Sequence, residues 1–315
     1  MTNPTSNSAK LRALRVSVRG MYIENGRDRQ LDEHLAAMVQ NKKDIEEGAG
    51  SPRRGLFVIG KAGTGKSTSI RRALAANPDL QPLVNAYGET TPQYLSLKLP
   101  KKAATIDLVS HVLKAMGMPH DGKEKGMTDE MKNQFKQRGI WLLHLDELQH
   151  TVRSQTAKAF EAIQDLLKEM LDDEEWPLHM ILSGVPRIRK IQVEDQIDRR
   201  SEVLNFYPLK APANNDRIRE LIAKISVEGC GMSLDPDVQT PEFYERLCMS
   251  TNGAWGTMIE RVQEVSFGTL ERGRTLLKKK DFAREYEMTR GCTLSENVFM
   301  APNFRDLDLA PGSED

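Results

Sequence analysis

The chain has 315 residues, of which 39% are hydrophobic, and its 45 Lys+Arg balance its 45 Asp+Glu to a formal net charge of zero. That composition fits a globular protein of one large domain or two modest ones and leaves no global attraction for nucleic acid, so any such contact must come from a local basic patch or from subunits in a row. The longest apolar runs, Leu56-Phe57-Val58-Ile59 and Trp141-Leu142-Leu143, fall far short of the roughly 20 residues that span a bilayer, so no membrane segment is expected.

The polar start Met1-Thr2-Asn3-Pro4 lacks the pattern of a secretion signal, and Cys230, Cys248 and Cys292 are odd in number and far apart. They read as reduced thiols in a cytoplasmic protein. In residues 1–50, Leu11, Leu14, Val18, Ile23, Leu31, Leu35, Met38 and Val39 recur at helical spacing, which predicts an N-terminal extension of two helices. Gly48-Ala49-Gly50-Ser51-Pro52 breaks it. From 51 to 211 short apolar strands alternate with amphipathic helices, the grammar of an α/β domain with a parallel sheet flanked by helices. The predicted strands span 55–59, 80–85, 95–99, 140–145, 179–183 and 203–207. Residues 212–275 read as a small helical lid domain with helices over 216–229, 241–250 and 256–273. Residues 276–315 add a helix over 280–290 and an acidic tail from 306, expected to be mobile.

Gly60-Lys61-Ala62-Gly63-Thr64-Gly65-Lys66-Ser67 satisfies G-x-x-x-x-G-K-[ST], directly after the first predicted strand and before a helical run that opens at Thr68. Its glycines let backbone N–H groups turn inward around phosphate oxygens, and the helix N-terminus adds its positive dipole end. Lys66 would reach the terminal phosphates and Ser67 would offer a hydroxyl to Mg²⁺, so ATP with Mg²⁺ is the expected ligand. About 80 residues on, Ile140-Trp141-Leu142-Leu143-His144-Leu145-Asp146-Glu147 is an apolar strand ending in two carboxylates. A buried strand needs acids at that end only where α/β proteins place ligands. Asp146 is expected to hold the Mg²⁺ shell and Glu147 to activate water as general base. A small-molecule kinase or a switch GTPase does not need that adjacent Glu, so the pair favours hydrolysis.

Met180-Ile181-Leu182-Ser183-Gly184 is a further buried strand ending in a polar residue; beside the Asp146 strand, Ser183 would point at the γ-phosphate and report its loss. The helical run after it ends in Asp198-Arg199-Arg200, an arginine pair placed to reach a neighbouring subunit's γ-phosphate as a finger. Arg261, after Gly253-Ala254-Trp255-Gly256, is a candidate second-domain cation for the nucleotide, the other reading being an exposed helix face. His144 and His150 flank the Asp-Glu pair but, across a strand-to-helix turn, read as structural histidines rather than a metal pair.

This order of parts resembles an AAA+ ATPase, and more narrowly the TniB/TnsC transposition ATPases. The narrower likeness rests on Ile59-Gly60-Lys61-Ala62-Gly63-Thr64-Gly65-Lys66-Ser67-Thr68, on Leu99-Pro100-Lys101-Lys102-Ala103-Ala104-Thr105 leading to Ala115-Met116-Gly117-Met118-Pro119, on His144-Leu145-Asp146-Glu147-Leu148-Gln149-His150, and on Ile181-Leu182-Ser183-Gly184-Val185-Pro186. Phe282-Ala283-Arg284-Glu285-Tyr286 with Asn297-Val298-Phe299 is also family-like, and the likeness covers about residues 30 to 300. The second-domain arginine is not placed unambiguously by it. The resemblance implies ATP-dependent assembly into rings or helical filaments around duplex DNA in the bacterial cytoplasm, with recruitment of a DDE transposase and, in many systems, a TniQ-type adaptor. Hydrolysis would then disassemble the polymer.

In such an assembly the DNA-facing elements are loops on the inner rim. By position these are Lys98, Lys101, Lys102 and Thr105, and a loop over 123–128 carrying Lys125 and Thr128. Lysine and threonine bind phosphates without reading bases, which gives sequence-tolerant, salt-sensitive binding. Two other readings share the same nucleotide site: an AAA+ loader or remodeller of another DNA or protein complex, and a DNA scaffold in which ATP is structural glue.

Overall fold

The computed structural model describes residues 4–84, 88, 90–101, 104–152 and 156–308, of 4–7 the backbone alone. The chain divides into two compact units, one of Met1–Asn25 with Tyr207–Asp315 and one of Gly26–Phe206. The expected extension over 1–50 is thus shared out: helix α1 (Pro4–Gly20) belongs to the first unit and α2 (Asp28–Glu46) to the second.

In the second unit α2 leads to β1 (Gly55–Gly60) and α3 (Lys66–Ala76), then a two-residue ribbon of β2 (Leu83–Val84) and β3 (Thr90–Thr91). Strand β4 (Tyr94–Lys98), helices α4 (Thr105–Ala115) and α5 (Glu124–Arg138), and strand β5 (Leu142–Asp146) follow. Short α6 (Gln149–Val152), α7 (Ala157–Asp172), β6 (His179–Gly184), α8 (Arg189–Gln192), α9 (Asp195–Arg199) and β7 (Ser201–Phe206) complete it. Five strands form one parallel sheet in the order β4-β5-β6-β1-β7. Every residue of β1, β5 and β6 is buried, as expected of a sheet covered on both faces. Alternation along β1 sends Leu56 and Val58 toward α2 and α3 (Leu31, Leu35, Ile70, Leu74), and Phe57 and Ile59 into the opposite core with Leu108, Met131 and Leu167.

Two sequence expectations fail locally. The strand expected over 80–85 does not enter the sheet: Pro78–Leu80 is a 3₁₀ turn capped by the Asn77 side chain, and β2 pairs only with β3. Pro78 and Pro82 lack the N–H a central strand must donate, and Leu83 and Val84 stay exposed; Asn85 lies outside the described residues. The loop expected over 123–128 is the first turn of α5, because Met127, Met131 and Phe135, all buried, recur at helical spacing into the core.

In the first unit α10 (Asn215–Ile222) continues as a π-helical segment (Ala223–Gly229), against which α1 packs. A small pair of strands, β8 (Ser233–Leu234) and β9 (Leu276–Leu277), and helices α11 (Pro241–Ser250), α12 (Trp255–Glu271) and α13 (Lys279–Arg290) complete it. Phe243, Phe282, Phe299 and Tyr286 interlock at its centre with ring centroids 4.9–5.9 Å apart. Part of the expected tail, from 309 on, lies outside the described residues. No helix among the described residues is long and apolar enough to cross a membrane.

Candidate nucleotide site

The loop between β1 and α3 is shaped by three glycines that no other residue replaces without strain. A Cβ on Gly60 would meet the Phe206 carbonyl oxygen at 2.6 Å, and Gly63 and Gly65 hold φ of 74° and 92°. The crest formed by Lys61, Ala62 and Gly63 is exposed, as is Thr68, whereas Thr64 and Lys66 are buried beneath it. Thr64 Oγ1 ties the loop by donating to the Lys61 carbonyl at 2.8 Å. Gly65 caps α3 with no side-chain hydrogen bond, so the first N–H groups of the helix stay available to an anion. Lys66 Nζ donates to the carbonyl oxygens of Gly60 at 2.7 Å and Lys61 at 3.0 Å. Burial lowers the Lys66 pKa, against the opposing pull of Asp146 and Glu147.

Parallel pairing brings the C-terminal end of β5 beside the loop, where α/β sheets hold ligands. Asp146 is 9% exposed, and its Oδ1 accepts hydrogen bonds from Ser183 Oγ at 2.6 Å and from the Glu147 N–H at 2.9 Å. Burial pushes the Asp146 carboxyl up, but the hydroxyls of Ser183 and Ser67 outweigh it and hold the group below its ordinary range. Ser67 and Asp146 therefore meet, a hydroxyl and an ionised carboxylate side by side, and that all-oxygen donor pair fits a hard cation such as Mg²⁺, which keeps several of its waters.

Glu147 turns off the strand at a φ of 61°, in the left-handed region that few residues other than glycine adopt. Its Oε2 accepts a hydrogen bond from Gln149 Nε2, and His150 Nε2 stands 3.9 Å away. The other end of the Gln149 amide accepts the Val185 N–H at 3.2 Å, which links Glu147 to the end of β6. Ser183 is fully buried, and its proton is given to Asp146. Behind it, His144 Nε2 lies 2.9 Å from Ser183 Oγ, and His144 Nδ1 lies 2.8 Å from Ser96 Oγ. Burial pulls the His144 pKa down to about 4, so the imidazole is neutral near pH 7. His144 is thus a structural histidine, as its sequence setting suggested; Ser96 and Gln149 carried no such reading, and for Ser96 the available signal was a polar residue in the middle of an otherwise apolar strand.

The two arginines of the expected finger differ. Arg200 is ion-paired to Asp172 and donates to the Gln196 carbonyl at 3.0 Å. Arg199, at the end of α9, is exposed and has no ion pair among the described residues. Arg261 lies in the helical unit and is 8% exposed; it pairs with Glu285 at 2.9 Å and sits 4.9 Å from the Tyr286 ring centre. Burial draws the Arg261 guanidinium down and the Glu285 carboxyl up, and the contact holds the two together.

Of the expected DNA contacts, Lys98 is exposed on the edge strand in register with Asp146, and Lys101 is exposed in the turn after it. Lys102 lies outside the described residues. Lys125 is exposed on α5. Thr105 and Thr128 are each 8% exposed, and the Thr128 hydroxyl donates to the Glu124 carbonyl at 3.0 Å. They line a hollow with Glu124, Asp129, Asp165 and Glu169, which surrounds Lys125 with negative charge and disfavours phosphate.

Residues 49–192 match a family model described as an AAA domain. Cdc6p from Pyrobaculum aerophilum is structurally similar, with a TM-score of 0.56 and 14% identity over 89% of this chain and 75% of that one. The ORC2 protein of Aeropyrum pernix, solved as ADPNP-ADP complexes, gives 0.55 and 14% over the same shares. No curated protein matches the chain in sequence. The glycine loop, the acidic strand end and the sheet that joins them thus belong to an AAA+ P-loop fold.

Proposed function

We propose that this chain is an ATP-hydrolysing switch that assembles on duplex DNA and regulates transposition by recruiting a transposase, with turnover releasing the assembly. The observation that carries the hydrolytic part is that Ser67 meets Asp146, with Lys66 within the electrostatic reach of Asp146 and Glu147, at the C-terminal end of the sheet. Backbone N–H groups of the loop and Lys66 bind and orient the ATP phosphates, and Ser67 with Asp146 would hold Mg²⁺. The cation, when bound, neutralises charge on the phosphates. Glu147, released from Gln149, takes the proton of the attacking water, and the exposed Arg199 reaches the γ-phosphate of an adjacent subunit.

Support for the transposition role comes from the TniB/TnsC-like segments, which extend beyond the nucleotide motifs to Leu99–Thr105 and 115–119. Lys98 and Lys101 are the exposed cations available to DNA phosphates, with Lys102 next to them in sequence. A second reading, a loader or remodeller of another DNA complex, is favoured by the structural likeness to Cdc6p and the ORC2 protein. Phosphate release with Mg²⁺-ATP, with and without duplex DNA, tests the first step. Lys66→Ala is expected to abolish turnover by weakening nucleotide binding at least about 100-fold, as loss of a buried charged hydrogen-bond partner does. Equal turnover in that variant would overturn the site.

A further inference from the structure

Ser96, His144, Ser183 and Asp146 stand on the adjacent strands β4, β5 and β6, with Ser96 directly opposite His144 in the register. The acceptors dictate the direction of each proton in this row. A carboxylate only accepts, so the 2.6 Å bond to Asp146 is donated by the Ser183 hydroxyl. That hydroxyl has one hydrogen; toward His144 Nε2, 2.9 Å away, it must accept, and Nε2 carries the proton. The neutral ring then has its lone pair on Nδ1, where it takes the hydrogen of Ser96 at 2.8 Å. Three donors thus point one way, from the exposed edge strand to a buried carboxylate, and each polarises the next.

We propose that His144, with Ser96 behind it, is a positioning residue for Asp146: it holds the Ser183 hydroxyl on Oδ1 and so aims the remaining lone pairs of the carboxylate at Ser67 and a divalent cation. The same geometry gives Ser183 to the carboxylate rather than to the γ-phosphate, because its one hydrogen is already committed. The inference rests on the nucleotide-site reading above. Outer partners of a ligating carboxylate set its orientation, and losing one costs about 10- to 100-fold in metal affinity.

The test is binding of a fluorescent ATP analogue by the full chain across a Mg²⁺ series, read as the Mg²⁺ concentration at half effect, with affinity in EDTA measured alongside. His144→Leu is expected to raise that concentration about tenfold and to leave the EDTA affinity within about twofold. His144→Gln, whose amide keeps one donor and one acceptor, restores it to within about threefold of the wild type. Ser96→Ala, an exposed change that tests the row even where His144→Leu fails to fold, gives a smaller shift of the same sign. In a Ser183→Ala background His144→Leu adds nothing, because its effect passes through that hydroxyl. Wild-type binding that ignores Mg²⁺ would sink the nucleotide-site reading itself. A Mg²⁺-dependent wild type and a shifted Asp146→Asn, with His144→Leu and Ser96→Ala titrating like wild type, overturn the proposal alone. A His144→Gln as impaired as His144→Leu does so too, because it marks a packing role.

Discussion

In the proposed hydrolysis Glu147 is the general base, and its surroundings separate binding from turnover. Its carboxylate is held by Gln149 rather than by the glycine loop, so Glu147→Gln is expected to keep ATP affinity while turnover falls about 10²–10⁴-fold. Single-turnover phosphate release beside a binding titration reads both, and unimpaired release would remove Glu147 from the role of base. Arg199 and Arg200 make a second pair of contrasts. Arg199→Ala is expected to lower turnover of the assembled protein by about 10³-fold with the fold unchanged. Arg200→Ala breaks the tie to Asp172, half-exposed, and is expected to cost about 0.5 kcal/mol of stability with turnover kept. Thermal unfolding and assembled-state activity of the two variants check the assignment; the reverse pattern would exchange the roles. The glycine loop and the Asp146-Glu147 pair were readable because their meaning is local in sequence. Ser96 and Gln149 were not, and His144 was legible only as a structural histidine, since its partners meet it only once β4, β5 and β6 lie side by side.

At the scale of elements, five of the six expected strands entered the sheet, because each is a short apolar run bounded by turn residues. The run over 80–85 offers Leu80, Leu83 and Val84, but Pro78 before it and Pro82 within it withhold the N–H groups a central strand donates. Charge behaved likewise: lysine and threonine over 123–128 looked like a loop for DNA, but the methionine spacing makes the segment a helix whose neighbours are acidic. Lys98 and Lys101, exposed on the edge strand β4 and in the turn after it, carry the proposed DNA contacts. Lys98→Ala with Lys101→Ala is expected to weaken duplex binding and to lower the slope of log affinity against log salt by about 2, with metal-free nucleotide affinity unchanged. Fluorescence anisotropy over a salt series measures this, and an unchanged slope would move the DNA surface elsewhere.

For the whole molecule, the division at Asn25 and Phe206 shows why domain boundaries resist reading from sequence. Val18 and Ile23 look continuous with Leu31 and Leu35, yet the first two join the helical core and the second two the sheet. Two buried histidines tie stability to pH. Burial pulls both His144 and His179 down to about 4 from an ordinary 6.5, and His179 accepts from Asn41 at 3.1 Å as a neutral ring. Each binds its proton more readily when unfolded, so their contribution is complete above pH 6.5 and is lost as pH falls toward 4. The unfolding midpoint is expected to drop over that window, less so in His179→Gln; a flat midpoint would contradict the neutral assignment.

A neutral chain can hold DNA if many subunits each add a few contacts, so assembly is the central claim of the proposed function. Electron microscopy of the purified chain with duplex DNA, in no nucleotide, ADP, ATP and a slowly hydrolysed ATP analogue, tests it most directly. Rings or filaments on DNA with the triphosphates alone are the result expected here, whereas particles indifferent to both DNA and nucleotide would contradict it.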